Sequence, residues 1–149
     1  GTLTACKPIS DRDLAEYMAD CLQDKALQNK ILPIGGPGPA ITLRDQGEYL
    51  FEVLGREPQF KSIPASFLAR IATVLDWFGK VFPPLADKAE LARIGHYYAT
   101  ESMLVFDPET GLYDADATPE TGSETLLNYY KRLINGTETA DKVDYDLFG

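Results

Sequence analysis

A chain of 149 residues that is 44% hydrophobic and 25% charged has ordinary globular composition, with room for one core. Its formal net charge of −9 argues against a nucleic-acid partner, because phosphate binding depends on clustered Lys and Arg. No apolar run reaches the roughly 18 residues of a transmembrane segment, which leaves peripheral association as the membrane contact still open. The chain opens on Gly1 without a basic and apolar leader, which reads as a fragment or a processed piece rather than as a signal peptide. Cys6 and Cys21 form no CxxC and no metal-like cluster, and Cys21 falls on an apolar helical stripe, so it reads as a reduced structural thiol.

Ser10 is a good N-cap, with Asp13 three residues on in capping-box register. Leu14, Tyr17, Met18, Cys21 and Leu22 follow with the spacing of one buried helical face. Ile31-Leu32-Pro33-Ile34 suits a short buried strand, which ends in the turn Gly35-Gly36-Pro37-Gly38-Pro39. Thr42 caps the next helix, again with an acid, Asp45, three residues on, and Gly55 is placed as its C-terminal stop. Phe60 to Ile63 reads as extended. Pro64 then opens the most apolar stretch of the chain, a helix running to Phe82, where Pro83-Pro84 ends it. The charges of that helix, Arg70, Asp76 and Lys80, fall within about a third of its circumference and leave the rest apolar. A further helix is expected from Leu85 to about Tyr98, with Leu91, Ile94 and Tyr98 facing inward. Ser102 to Asp107 reads as a strand and Asp107-Pro108-Glu109-Thr110-Gly111 as a turn into Leu112-Tyr113. A last helix after Thr121 or Ser123 buries Leu126, Leu127, Tyr130, Leu133 and Ile134, and Asn135-Gly136 stops it. From Thr137 the chain reads as an acidic, poorly ordered tail.

No complete catalytic constellation stands in these residues. A dinucleotide fingerprint read from Gly36 fails at Ile41, and Pro37 and Pro39 remove two backbone N–H groups that such a site would donate to phosphate. The loop therefore reads as a rigid connector. No Tyr stands four residues before a Lys, and there is neither a G-x-S-x-G elbow nor a P-loop. Asp107, Glu109, Asp114 and Asp116 read as a solvated acidic hairpin. His96 is the only histidine and has no second ligand at metal spacing, so it reads as a polar residue near a helix end. Asn135-Gly136-Thr137 matches a glycosylation sequon, with nothing that indicates secretion.

The order of these motifs resembles the C-terminal half of extended or atypical short-chain dehydrogenases of the NmrA-like kind. The residues that carry the likeness are Ile9-Ser10-Asp11-Arg12-Asp13-Leu14-Ala15, Ile34-Gly35-Gly36-Pro37, Thr42 and Leu54-Gly55-Arg56. Within that group the chain is most similar to the vinyl reductases of chlorophyll and bacteriochlorophyll synthesis. The more specific pieces are Leu32-Pro33-Ile34-Gly35-Gly36-Pro37-Gly38, Leu54-Gly55-Arg56-Glu57-Pro58 and above all Tyr97-Tyr98-Ala99-Thr100-Glu101-Ser102-Met103-Leu104-Val105. The resemblance implies an α/β chain in which residues 1–136 are the C-terminal portion of a Rossmann-type NAD(P)-binding fold plus a mostly helical substrate lobe, followed by the tail 137–149. It also implies NADPH bound mainly outside these residues, and divinyl chlorophyllide or protochlorophyllide as substrate. The compartment would be a bacterial cytoplasm or a chloroplast. The competing implication is a non-catalytic NmrA-like protein that binds the dinucleotide as a sensor or assembly subunit. In the reductase reading no catalytic residue or cofactor ligand falls in this chain, and by itself it is inactive. A flat macrocycle needs a wide apolar slot with polar groups at its rim. The expected wall is Phe67, Trp77 and Phe78 on the apolar helix, with His96, Tyr97 and Tyr98 beside them.

Overall fold

The computed structural model describes residues 4–62, 64–79 and 83–139, without the side chains of residues 65, 68, 78, 79 and 83–87. It is a mixed α/β chain that divides into two compact units, Gly1–Pro58 with Ser102–Thr139, and Gln59–Glu101.

In the first unit, β1 (Ala5–Cys6) pairs antiparallel with β2 (Ile41–Thr42), with Cys6 opposite Ile41. Cys6 also bridges Met103 in parallel, and the Ala5 carbonyl accepts the Met103 amide at 2.9 Å. Burial pushes the Cys6 thiol up, and the Gln46 amide donates to its sulfur at 3.3 Å. The expected strand at Ile31–Ile34 does not form. Ile31 is 100% exposed, and the sheet partners are instead the segments before Lys7 and after Ala40. The sheet that does form brings together residues distant in sequence, which a local apolar run cannot announce.

Helices α1 (Asp11–Gln23) and α2 (Leu43–Leu54) start with the same sequence signature and resolve it differently. Thr42 and Asp45 close a reciprocal capping box: Thr42 N–H donates to Asp45 Oδ2 at 2.7 Å and Asp45 N–H to the Thr42 hydroxyl at 3.2 Å. In α1 the Ser10 hydroxyl accepts from Asp13 N–H at 3.0 Å, but the Asp13 carboxylate does not close the box on the Ser10 backbone N–H. It accepts the amides of Ser123 and Glu124 at 3.1 and 2.9 Å. Of the expected inner stripe on α1, Met18 and Leu22 stand exposed while Leu14, Tyr17 and Cys21 are half-buried.

A 3-10 turn, Lys25–Leu27, follows α1, and Gly55 ends α2 in the left-handed region as expected. Strands β3 (Val105–Asp107) and β4 (Leu112–Asp114) form a hairpin in which Phe106 and Tyr113 meet edge to face at 5.3 Å. The last helix of this unit runs Leu126–Ile134, is capped by Thr125, and packs on α2. Beyond it, Glu138 pairs with Arg132 at 3.2 Å; residues 140–149 of the expected tail lie outside the described residues.

The second unit is a pair of helices packed on each other, α3 (Ala65–Gly79) and α4 (Pro83–Thr100), with the short Leu126–Ile134 helix then α5 in chain order. Pro83 and Pro84 open α4 instead of merely ending α3, because a helix's first turn needs no backbone N–H from them. The described buried residues of the pair are small, Ala72 and Ala89. Leu91, Ile94 and Tyr98, expected to face inward, are exposed by 40%, 44% and 50%. Their places on the inner side are taken by the face of Ala89, Ala92, His96 and Ala99, since small side chains let two helices approach closely. Asp76 also lies toward α4, where it pairs with Arg93, which holds Glu90 at 2.7 Å as well. No described helix is long and apolar enough to cross a membrane.

Candidate functional site

Two constellations hold the glycine-rich stretch and the Tyr97-Tyr98 pair, which are among the residues that carry the family resemblance. The first is a junction around the glycine-rich loop. Gly36 N–H donates to the Lys7 carbonyl at 2.9 Å, and Thr121 N–H to the Gly35 carbonyl at 2.8 Å. The Lys7 ammonium, its side chain 7% exposed, donates to the Thr118 carbonyl at 3.0 Å and pairs with Glu120 at 3.3 Å. The other carboxylate oxygen of Glu120 accepts Gly38 N–H at 3.3 Å. That amide first, and then the Lys7 ammonium, holds the Glu120 carboxyl below its ordinary range. The Thr118 hydroxyl completes the junction by donating to the Asp114 carbonyl at 2.7 Å and accepting Val105 N–H at 2.8 Å.

This loop does not fit a dinucleotide. Its Gly36 and Gly38 amides are donated within the chain, the Gly38 amide to the anionic Glu120 carboxylate, and backbone fills the space over Gly36. Gly35 and Gly36 serve close approach of one chain segment to another, whereas Gly38 supplies a left-handed turn in open space.

The second constellation is the aromatic surface of the helix pair. Phe67 is 52% and Trp77 67% exposed; with Val74, 54% exposed, they lie on the face of α3 turned away from the buried Ala72. Phe67, Arg70, Val74 and Trp77 fall within about 80° of the helix circumference and span about 15 Å along its axis. The side chain of Phe78, and Phe82 altogether, lie outside the described residues. On α4, Tyr97 and Tyr98 are exposed and their rings meet edge to face at 6.0 Å, while His96 is half-buried on the Ala89 side. Being consecutive, His96, Tyr97 and Tyr98 point about 100° apart, so the helix pair presents two aromatic surfaces, one on each helix. Among the described residues no group of three or more His, Cys, Asp or Glu is placed to hold a metal. Sequence reading grouped Arg70 with the polar arc. Its i+3 offset from Phe67 and i−7 offset from Trp77 are the signal that sets it on the aromatic face instead.

Over nine tenths of its length the chain is similar to reductases. The relatives are chloroplastic divinyl chlorophyllide a 8-vinyl-reductases: over 134 residues, 90% of this chain, it is 54% identical to that of Oryza sativa subsp. indica, 52% to that of Zea mays and 48% to that of Arabidopsis thaliana. The chain spans about one third of the length of these curated relatives. No family model and no solved structure matches it.

Proposed function

We propose that the chain is part of an NADPH-dependent reductase that converts the 8-vinyl group of divinyl chlorophyllide a or its protochlorophyllide counterpart to ethyl, in the chloroplast. The observation that carries this reading is identity of about one half to four plant reductases over nine tenths of the chain. Residues 1–136 form the end of a Rossmann-type sheet and a helical substrate lobe; the parallel bridge between Cys6 and Met103 supports the sheet assignment. NADPH, held mainly by parts of the protein beyond these residues, supplies the hydride. What this chain contributes is orientation and an apolar surface for the macrocycle. Full-length protein incubated with divinyl chlorophyllide and NADPH is expected to shift the pigment's Soret band as vinyl becomes ethyl; an unchanged band rejects the reading.

The macrocycle lies against the aromatic surfaces of the helix pair, with Phe67 and Trp77 from α3 and Tyr97 and Tyr98 from α4, while His96 stands apart from them on the Ala89 side. Large exposed rings on a unit whose described buried positions are alanines support this placement. In full-length enzyme, Trp77→Ala is expected to weaken pigment binding about fivefold, from the roughly 1 kcal/mol of one aromatic contact. NADPH affinity and melting temperature should stay at wild-type values, because the ring is two-thirds exposed. Equal weakening of both ligands with a lowered melting temperature would instead assign Trp77 to packing.

A further inference from the structure

The aromatic face of α3 carries one charge, and its position has a use. Phe67, Arg70, Val74 and Trp77 stand at offsets 0, 3, 7 and 10, so the Arg70 guanidinium rises from the middle of an otherwise apolar exposed stripe. Among the described residues the ion pairs of the helix pair go to Arg93, which takes both Asp76 and Glu90, and Arg70 is in none of them. Asp76, the one acid of α3, stands about 120° round the helix from Arg70 and is paired with Arg93, so no acid on its own helix neutralises it. Arginine is the side chain best suited to a planar, two-point bond with a carboxylate, and its weakly hydrated guanidinium tolerates apolar neighbours. An apolar aromatic strip with one such group near its centre is complementary to a flat amphiphile bearing a single free carboxylate.

We propose that Arg70 is a specificity-determining residue that pairs with the free carboxylate of the pigment, so that the protein distinguishes pigment acids from their esters. The assignment rests on the reading that the α3 face binds the macrocycle. Arg70 touches no reacting atom; it fixes which end of the flat ring lies toward the centre of the helix.

The test uses full-length enzyme with NADPH and two pigments, divinyl chlorophyllide a and its methyl ester, whose macrocycles are the same. In the wild type, KM for the acid should rise with ionic strength between about 0.05 and 0.5 M, and KM for the ester should not, because salt screens the one charge pair. Arg70→Gln should raise KM for the acid five- to tenfold and abolish its salt dependence, leaving KM for the ester and kcat for both near wild type. Arg70→Lys should recover part of the discrimination, since it restores the charge without the two-point geometry. Equal changes for acid and ester, no change for either, or a salt-independent wild-type KM for the acid would overturn the assignment to Arg70. Wild-type protein that turns over neither pigment would overturn the reductase reading itself.

Discussion

Gly36→Ala is expected to cost at least about 4 kcal/mol, which approaches the whole stability of many domains. A Cβ at this position would stand 1.7 Å from the Pro8 carbonyl oxygen and 2.8 Å from Ile9 Cα. Both are backbone atoms, so no rotamer change relieves the contact. The segment 7–9 would have to withdraw, and it is anchored by the Gly36–Lys7 hydrogen bond and by the buried Lys7 side chain. Overpacking that cannot relax into a side chain belongs with the largest single-residue penalties. Gly38→Ala is the matched control. Its Cβ would meet nothing within 4 Å, and the cost is only the left-handed φ of 92°, about 1–2 kcal/mol. Melting curves of the two variants in full-length protein check the contrast. Similar losses for both would mean that the close approach to Pro8 does not govern the site.

Asp13 sets the second large effect, which depends on pH. Its side chain is buried and joins the start of α1 to a turn 110 residues away. The Glu124 amide holds its carboxyl below the ordinary range, helped by the Ser10 hydroxyl, the Ser123 amide and Arg12, while partial desolvation opposes them. A carboxyl depressed in the folded state binds its proton more readily when unfolded. Its contribution is therefore present in full above the unfolded pKa of about 3.9 and is lost as pH falls through the folded value. Asp13→Asn should lower the melting temperature at pH 7, and the gap from wild type should close as pH drops below about 4. Asp45, Asp107 and Glu120 are depressed too, so wild-type acid sensitivity alone does not isolate Asp13; the difference between the two proteins does. A gap that stays constant down to pH 2 would show that the lost contact is steric rather than ionic. Gly122 allows the arrangement: with φ of 81°, its Cβ would sit 2.2 Å from Asp13 Cγ.

What the sequence by itself determined lies at short range. Thr42 with Asp45, Gly55 after α2, the turn from Asp107 to Gly111 and the stop at Asn135-Gly136 each form within a few residues, so local residue order is sufficient. The relation to reductases was also legible, because Tyr97 to Val105 and the Gly-Gly-Pro-Gly stretch are read without knowing where they fold. The tertiary structure alone decided which partner each element met. Ser10 with Asp13 carries the same signature as Thr42 with Asp45, yet the Asp13 carboxylate is claimed by two amides far along the chain. The periodicity of α4 shows where its large residues cluster, but not that α3 packs against the opposite, alanine-lined side. Hydrophobic spacing records that a face is apolar. Whether that face is buried depends on which surfaces approach most closely, and here the described alanines lie inside while Phe67, Trp77, Tyr97 and Tyr98 are left exposed.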